Sequence, residues 1–354
     1  MGIRFFQPIN LVHMVAKQFD ITSLGEILID FVAQERSNSL KEVTSFAKEP
    51  GGAPANVSVG MAKLGNTASF IGRVGNDPMG MFLREVLHRN NVNAELVQFD
   101  KNAPTPLAFV SLSKDGERDF CFFRHDSADT HLEYSRQISL KLMQSRIFHF
   151  GSFSMSSTKS KKSTIKTLHA ANKSKCIVSF DPNIRETVWP DMTVCKEHIF
   201  GVLDKVDILK VSDDEVKILC ESDHIKDAAQ ELLNKGPSLV VITKGKEGCY
   251  IGVHGNGINV SNFPHKPLDT TGAGDGFWSG FLHALSYHLK QDKNLCDISL
   301  KDYHSIGLFG NTVGTLVTQK YGAMKGLPDI EEVRKFLEQE IANMPNLKSI
   351  LNLL

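Results

Sequence analysis

The 354-residue chain is 41% hydrophobic and 23% charged, with forty basic residues balanced by forty acidic ones. That composition suits one large globular α/β domain or two smaller ones, and zero net charge argues against a protein that works by neutralising a nucleic-acid backbone. No apolar run is long enough to span a bilayer, the six cysteines form no CxxC pair, and the thirteen histidines form no HExxH arrangement. No membrane segment, zinc site or disulfide framework is therefore expected.

Residues 1–18 contain a short, interrupted apolar stretch that does not read as a secretory leader. They are read as an N-terminal extension of a cytoplasmic protein with reduced thiols. From residue 19 onward, β-branched runs alternate with helical stretches. Strands are predicted at Phe19–Leu24, Ala68–Arg73, Arg146–Phe150, Cys176–Phe180, Val206–Lys210 and Ser238–Thr243. Several are continuously apolar, as strands buried on both faces are. Helices are predicted at Ala53–Leu64, with Pro54 in its first turn and Gly65 at its end, and at Pro78–Arg89. Alternating βα order implies a mostly parallel sheet covered by helices. The basic run Lys159-Ser160-Lys161-Lys162 reads as a solvated helix face.

Two segments break the rhythm. Leu107–Ser113 and Glu117–Phe123 flank Lys114-Asp115-Gly116 and read as a hairpin with a DG turn. Ile27–Val32 and Val43–Phe46 read as a second short pair. Pattern alone leaves a lid, a dimerisation sheet and decorative edge strands all open.

The stretch Leu268-Asp269-Thr270-Thr271-Gly272-Ala273-Gly274-Asp275-Gly276-Phe277 joins a glycine-rich loop to a helix. The helix's apolar residues recur at Phe277, Trp278, Phe281, Leu282, Leu285 and Leu289. Gly276, Gly280 and Ala284 form a second face, small enough for a neighbour to pack closely. The first N–H groups of a helix lack internal partners and favour anions, and glycines let phosphate oxygens approach them. Asp275 stands where it can accept a proton from a hydroxyl attacking phosphorus. It also stands where many first-turn Asp residues merely complement the helix dipole, and spacing alone does not choose. GxxxxGK[ST] is absent, which excludes a Walker loop, and Phe277 breaks a GxGxxG match.

Asp269–Asp275 resembles the C-terminal signature of ribokinase-type (PfkB) carbohydrate kinases. Gly51-Gly52-Ala53-Pro54-Ala55-Asn56-Val57, Lys63-Leu64-Gly65 and Ile71-Gly72-Arg73-Val74-Gly75-Asn76-Asp77 resemble their N-terminal signature. Gly25–Phe31, Phe122–His125 with Ser127–Asp129, Phe148–Ser152, Asp181–Arg185 with Trp189, and Lys210–Glu215 are similar to the fructokinase subgroup. The resemblance implies a ribokinase-like α/β fold over about 19–340, with β-sheet lid segments near 27–47 and 105–125 and a tail at 341–354. It implies ATP-dependent phosphorylation of a sugar, D-fructose to fructose 6-phosphate. Runner-up substrates are 2-keto-3-deoxygluconate and aminoimidazole riboside or another nucleoside. A non-catalytic module on the same fold is a more distant reading, because such descendants are expected to lose the base or the glycine loop.

By the same resemblance, Asp275 is the base, and Gly272, Ala273 and Gly274 form the anion hole. Asp30, Gly52, Asn56, Phe120, Phe122 and Arg185 contact sugar. Lys210, Glu215, Thr243, Gly245, Gly248, Asn311 and Gly314, with Gly322-Ala323, belong to the nucleotide side. Glu215 holds Mg²⁺ through water, and Ser212 replaces the Asn of many relatives. Asp269 and Thr271 resemble contributors to a K⁺ site. The partner is a small sugar, with no nucleic acid and no membrane, and the protein is a monomer or a homodimer through the lid.

Overall fold

The structure is a computed structural model that describes residues 16–36, 39–112, 118–343 and 350–354. The extension's residues 1–15, the Lys114-Asp115-Gly116 turn and residues 344–349 of the tail lie outside the described residues. The strands are β1 Phe19–Leu24, β2 Leu28–Arg36, β3 Phe46–Gly51, β4 Ala68–Gly75, β5 Val92–Asp100, β6 Leu107–Leu112, β7 Arg118–Phe123, β8 Ser145–Gly151, β9 Ile177–Asp181, β10 Ile208–Ser212, β11 Leu239–Thr243, β12 Cys249–Val253 and β13 Asn256–Val260. The helices are α1 Ala53–Lys63, α2 Pro78–Arg89, α3 Arg136–Met143, α4 Thr158–Lys173, α5 Met192–Leu203, α6 Asp213–Leu219, α7 Ile225–Leu233, α8 Ala273–Leu289, α9 Leu300–Val317, α10 Ala323–Gly326 and α11 Ile330–Asn343.

One sheet runs β13-β12-β11-β10-β9-β8-β1-β4-β5 and a second runs β3-β2-β6-β7. In the large sheet β11 through β5 are parallel, and β12 pairs antiparallel with both β11 and β13. The continuously apolar runs have the expected cause. Leu239 and Val241 of β11 face one hydrophobic cluster with α1, α8 and α9, while Val240 and Ile242 face the other with α4, α5 and α7. Burial on both faces makes each strand apolar along its whole length.

The small sheet departs from expectation at one strand. The partner of β2 is not Val43–Phe46 but Phe46–Gly51, registered Leu28↔Gly51 to Ala33↔Phe46. Pro50 and Gly51 are poor strand formers by local rule, yet a proline is tolerated on an edge strand, and β3 is an edge. This register brings Gly51 and Gly52 to the start of α1.

Helix α8 is buried along most of its length. Its small-residue face meets α9: a Cβ at Gly280 would lie 2.6 Å from Val313 Cγ2, and one at Gly310 would lie 3.0 Å from Phe277. Trp278 Nε1 donates to Ser179 Oγ at 3.0 Å, and His149 Nδ1 lies 3.0 Å from the same hydroxyl. Burial pushes the His149 pKa down to about 4, so the imidazole is neutral beneath the helix. Ile350 and Leu353 pack into the core near α8, where His283 Nε2 and the Leu353 carbonyl are 2.9 Å apart.

The order β5-β4-β1-β8-β9-β10 reverses direction between β1 and β8. The crevice at the carboxyl ends of such strands is where open α/β sheets bind ligands. Glu26 follows β1 there, and Asp181 ends β9.

Candidate active site

At this crevice one cavity is lined by Glu26, Leu28, Asp30, Gly52, Ala53, Asn56, Phe120, Phe122, Phe153, Asn183, Arg185, Thr271, Gly272, Asp275 and Ala323. It lies between the large sheet and the small one. Sequence positions from 26 to 323 thus converge on one space. All six residues assigned to the sugar by resemblance are among them, together with Asp275 and Gly272. Glu26, Asn183 and Phe153 received no role from the sequence, and Ala323, assigned by resemblance to the nucleotide side, also lines this cavity. Asn183 has a left-handed backbone (φ 46°), and its N–H donates to Asp181 Oδ1 at 3.2 Å. That turn carries the chain from β9 to Arg185, whose guanidinium carbon lies 5.8 Å from the Phe120 ring centre.

Asp275 occupies the first turn of α8 and is almost completely buried. Its Oδ2 accepts from Asn56 Nδ2 at 2.7 Å. Burial raises its pKa to about 6. The Asn56 bond opposes the shift, Asp181 adds to it, and the Lys210 and Arg185 charges oppose it. The carboxylate is thus mostly ionised at neutral pH while being more basic than an ordinary Asp.

Gly272 precedes the helix at φ 74°, ψ 5°. That left-handed conformation favours glycine, and a Cβ there would lie 2.7 Å from the Ala323 methyl. The Ala273 N–H is engaged by the Thr270 carbonyl at 3.2 Å, and the Gly276 N–H by the Gly272 carbonyl at 2.7 Å. Those of Gly274 and Asp275 find no backbone acceptor among the described residues. Of the Gly272, Ala273 and Gly274 N–H groups, only that of Ala273 is engaged by a backbone carbonyl among the described residues.

Beneath the loop sits a buried charge cluster. Lys210 Nζ lies 2.6 Å from Asp181 Oδ2, with both side chains almost inaccessible. A Cβ on Gly274 would stand 3.5 Å from that ammonium. Burial works against the lysine's charge, but Asp181 and Glu215 together outweigh it and hold the pKa above the ordinary value. Glu215 closes a capping box with Ser212 at the start of α6. Its Oε1 accepts from Ile184 N at 2.7 Å and its Oε2 from Ser212 N at 2.8 Å. Burial and Asp181 raise its pKa, and Lys210 counters them. The replacement of Asn by Ser at 212 thus preserves the helix cap.

The remaining residues assigned to the nucleotide by resemblance lie in the β11–β12 turn and on α9. Thr243 ends β11, and Gly245 and Gly248 adopt φ 53° and 93° in the turn that follows. Asn311 Nδ2 donates to the carbonyls of Val260 at 3.3 Å and Ser261 at 3.1 Å, so its amide braces the end of β13. Gly314 faces α8, where a Cβ would lie 3.2 Å from the Ala273 carbonyl. Asp269 Oδ1 accepts from Thr271 N and Thr271 Oγ1, both at 2.7 Å, and its Oδ2 accepts from Gly322 N at 3.0 Å. Among the described residues no three His, Cys, Asp or Glu side chains cluster to hold a metal, and no helix is long and apolar enough to cross a membrane.

Residues 18–330 match the pfkB family carbohydrate kinase profile. The chain belongs to that family. Probable fructokinase-5 of Arabidopsis thaliana is 38% identical over 321 residues, covering 90% of this chain and 98% of the relative. The crystal structure of fructokinase with bound ATP from Xylella fastidiosa superposes with a TM-score of 0.79 at 28% identity, covering 90% of this chain and 98% of that one. Fructokinase from Vibrio cholerae O395 in its fructose-, ADP- and calcium-bound form gives 0.77 at 29% identity, covering 90% and 99%. This pfkB-family protein is accordingly an ATP-dependent sugar kinase with a ribokinase-like fold.

Proposed function

We propose that this kinase transfers the γ-phosphoryl group of ATP to the 6-hydroxyl of D-fructose, with Asp275 as the base. The observation that carries the reading is a carboxylate with a pKa of about 6 beside open helix N–H groups, in a cavity that also holds Asp30, Asn56 and Arg185. The fructokinase names of its relatives support fructose as the sugar.

Phosphoryl transfer asks the protein chiefly for alignment and charge stabilisation. Holding alcohol and nucleotide together contributes roughly 7–11 kcal/mol. Asp30, Gly52, Asn56 and Arg185 orient the sugar, and Phe120 and Phe122 close over it from the small sheet, which serves as a lid. Closure excludes water that would otherwise hydrolyse ATP. Asp275 takes the hydroxyl proton late, as the oxygen bonds to phosphorus. The Gly274 and Asp275 N–H groups, cleared by Gly272, receive the charge that develops on the phosphoryl oxygens.

Each Glu215 oxygen accepts one backbone N–H and retains a lone pair, a donor set that fits water-mediated retention of Mg²⁺. Bound there, Mg²⁺ would neutralise charge on the nucleotide phosphates. Asp269 and Thr271, beside the Gly322 turn, are the candidates for a K⁺ site. The row Phe31, Phe46, Phe109 and Phe123 on the small sheet, with Phe123 60% exposed, supports a homodimer through that sheet.

A panel of fructose, 2-keto-3-deoxygluconate, aminoimidazole riboside and other nucleosides, scored by ADP release with NMR of the product, tests the assignment. Turnover of fructose to the 6-phosphate supports it, and indifference to fructose with turnover of another alcohol replaces the substrate.

A further inference from the structure

We propose that Glu26 is a sugar-contacting residue whose Oε2 donates a hydrogen bond to a substrate oxygen while its Oε1 holds the start of α1. Glu26 leaves β1 at the reversal of strand order, is 6% exposed and lines the cavity. Its Oε1 accepts from the Ala53 N–H at 3.0 Å, so one half of the carboxyl is committed. Its Oε2 is buried and has no hydrogen-bond partner among the described residues. Leaving such an atom unpaired is costly, and folded proteins keep few of them.

A second unpartnered atom lies in the same cavity. Asn56 donates through Nδ2 to Asp275, yet its Oδ1 is buried without a partner. The amide oxygen can only accept. A carboxyl oxygen can donate if it carries the proton, and burial pushes the Glu26 pKa up to about 8. The charges that face it are Arg124, which lowers that value, and Asp129, which raises it, and these two are themselves ion-paired at 2.5 Å. At neutral pH the wall therefore offers a donor at Glu26 and an acceptor at Asn56. A polyol, whose hydroxyls each donate and accept, satisfies both. Ionised Asp275 shares the cavity but can only accept, which gives the neutral acid a distinct role.

The inference rests on the sugar-kinase reading, and full-length wild type, Glu26→Gln and Glu26→Leu test it with kcat and KM measured for both substrates. Gln keeps an acceptor for Ala53 and a donor for the sugar, so its sugar KM should stay within about threefold of wild type. Leu should raise the sugar KM about ten- to hundredfold and leave the ATP KM unchanged. In a monodeoxy sugar series, the analogue lacking the bonded oxygen should lose affinity for wild type and lose no more for Leu. A folded Leu variant with unchanged sugar KM, or full additivity across every deoxy analogue, overturns the proposal. Should Leu not fold, wild type and Gln decide: the wild-type sugar KM should climb as pH passes 8 while that of Gln does not, and parallel profiles overturn it. Failure of fructose in the panel sinks only the substrate assignment, and the same variants are then read on the sugar that is turned over.

Discussion

Asn56 Nδ2 donates to Asp275 Oδ2 at 2.7 Å, joining the first turn of α1 to the first turn of α8 across 219 positions. The bond favours the ionised carboxylate against the burial that disfavours it. Because it occupies Oδ2, it leaves Oδ1 as the oxygen that would accept the hydroxyl proton in the proposed mechanism.

The kcat/KM for the sugar, measured at saturating nucleotide, should therefore fall on the acid side with an inflection near pH 6, not near the ordinary carboxylate value. Asn56→Ala removes the hydrogen bond that lowers the Asp275 pKa, so the inflection should move to higher pH. An acid limb near pH 4, or one indifferent to the substitution, would separate residue 275 from proton transfer.

Asp275→Asn keeps the volume and polarity of the side chain but cannot accept a proton. The variant should bind sugar and ATP with near-native affinity and lose about 10²–10⁴ in kcat. Calorimetric binding beside steady-state rates makes the comparison, and wild-type turnover in the folded variant refutes the role.

Gly272→Ala places a methyl against Ala323 and forces a left-handed residue, a conformation that costs an L-residue roughly 1–2 kcal/mol. Displacing the loop moves the open N–H groups from the phosphoryl group. We expect a loss on the order of 10²–10³ in kcat with a modest drop in Tm. An active variant with a crystal structure unchanged at 272–275 would show that the clearance is not needed.

Glu26 shapes stability as well as the cavity. Below its ordinary pKa of 4.5 both folded and unfolded chains keep the proton, and no difference arises. Between 4.5 and about 8 the unfolded chain releases a proton that the folded one retains, so stability falls as pH rises, by up to about 1.4 kcal/mol per pH unit. Glu26→Gln lacks this loss. Thermal melts should show wild type falling behind the variant progressively from pH 5 to pH 8, with the gap constant above that. A gap independent of pH rejects the buried neutral acid.

How much of this was legible beforehand varies with the range of the interactions. The buried strands announced themselves because burial on two faces demands unbroken apolar runs, as in Leu239–Ile242. The α8 stripe and its Gly276–Gly280–Ala284 face were equally plain, since both follow from one helix's own periodicity. Strand β3 was misplaced because Pro50 and Gly51 are poor strand formers by local rule, and only an edge position makes them strand.

The sequence by itself determined the α/β alternation, the glycine loop with its adjacent carboxylate, and the family signatures, because each is written in neighbouring residues. Tertiary structure alone decided which atoms were left unpaired. Asn56 meets Asp275, Thr270 closes off the Ala273 N–H, and Glu26 keeps one bare oxygen. These outcomes depend on how distant segments pack, and burial then sets the charge each group carries.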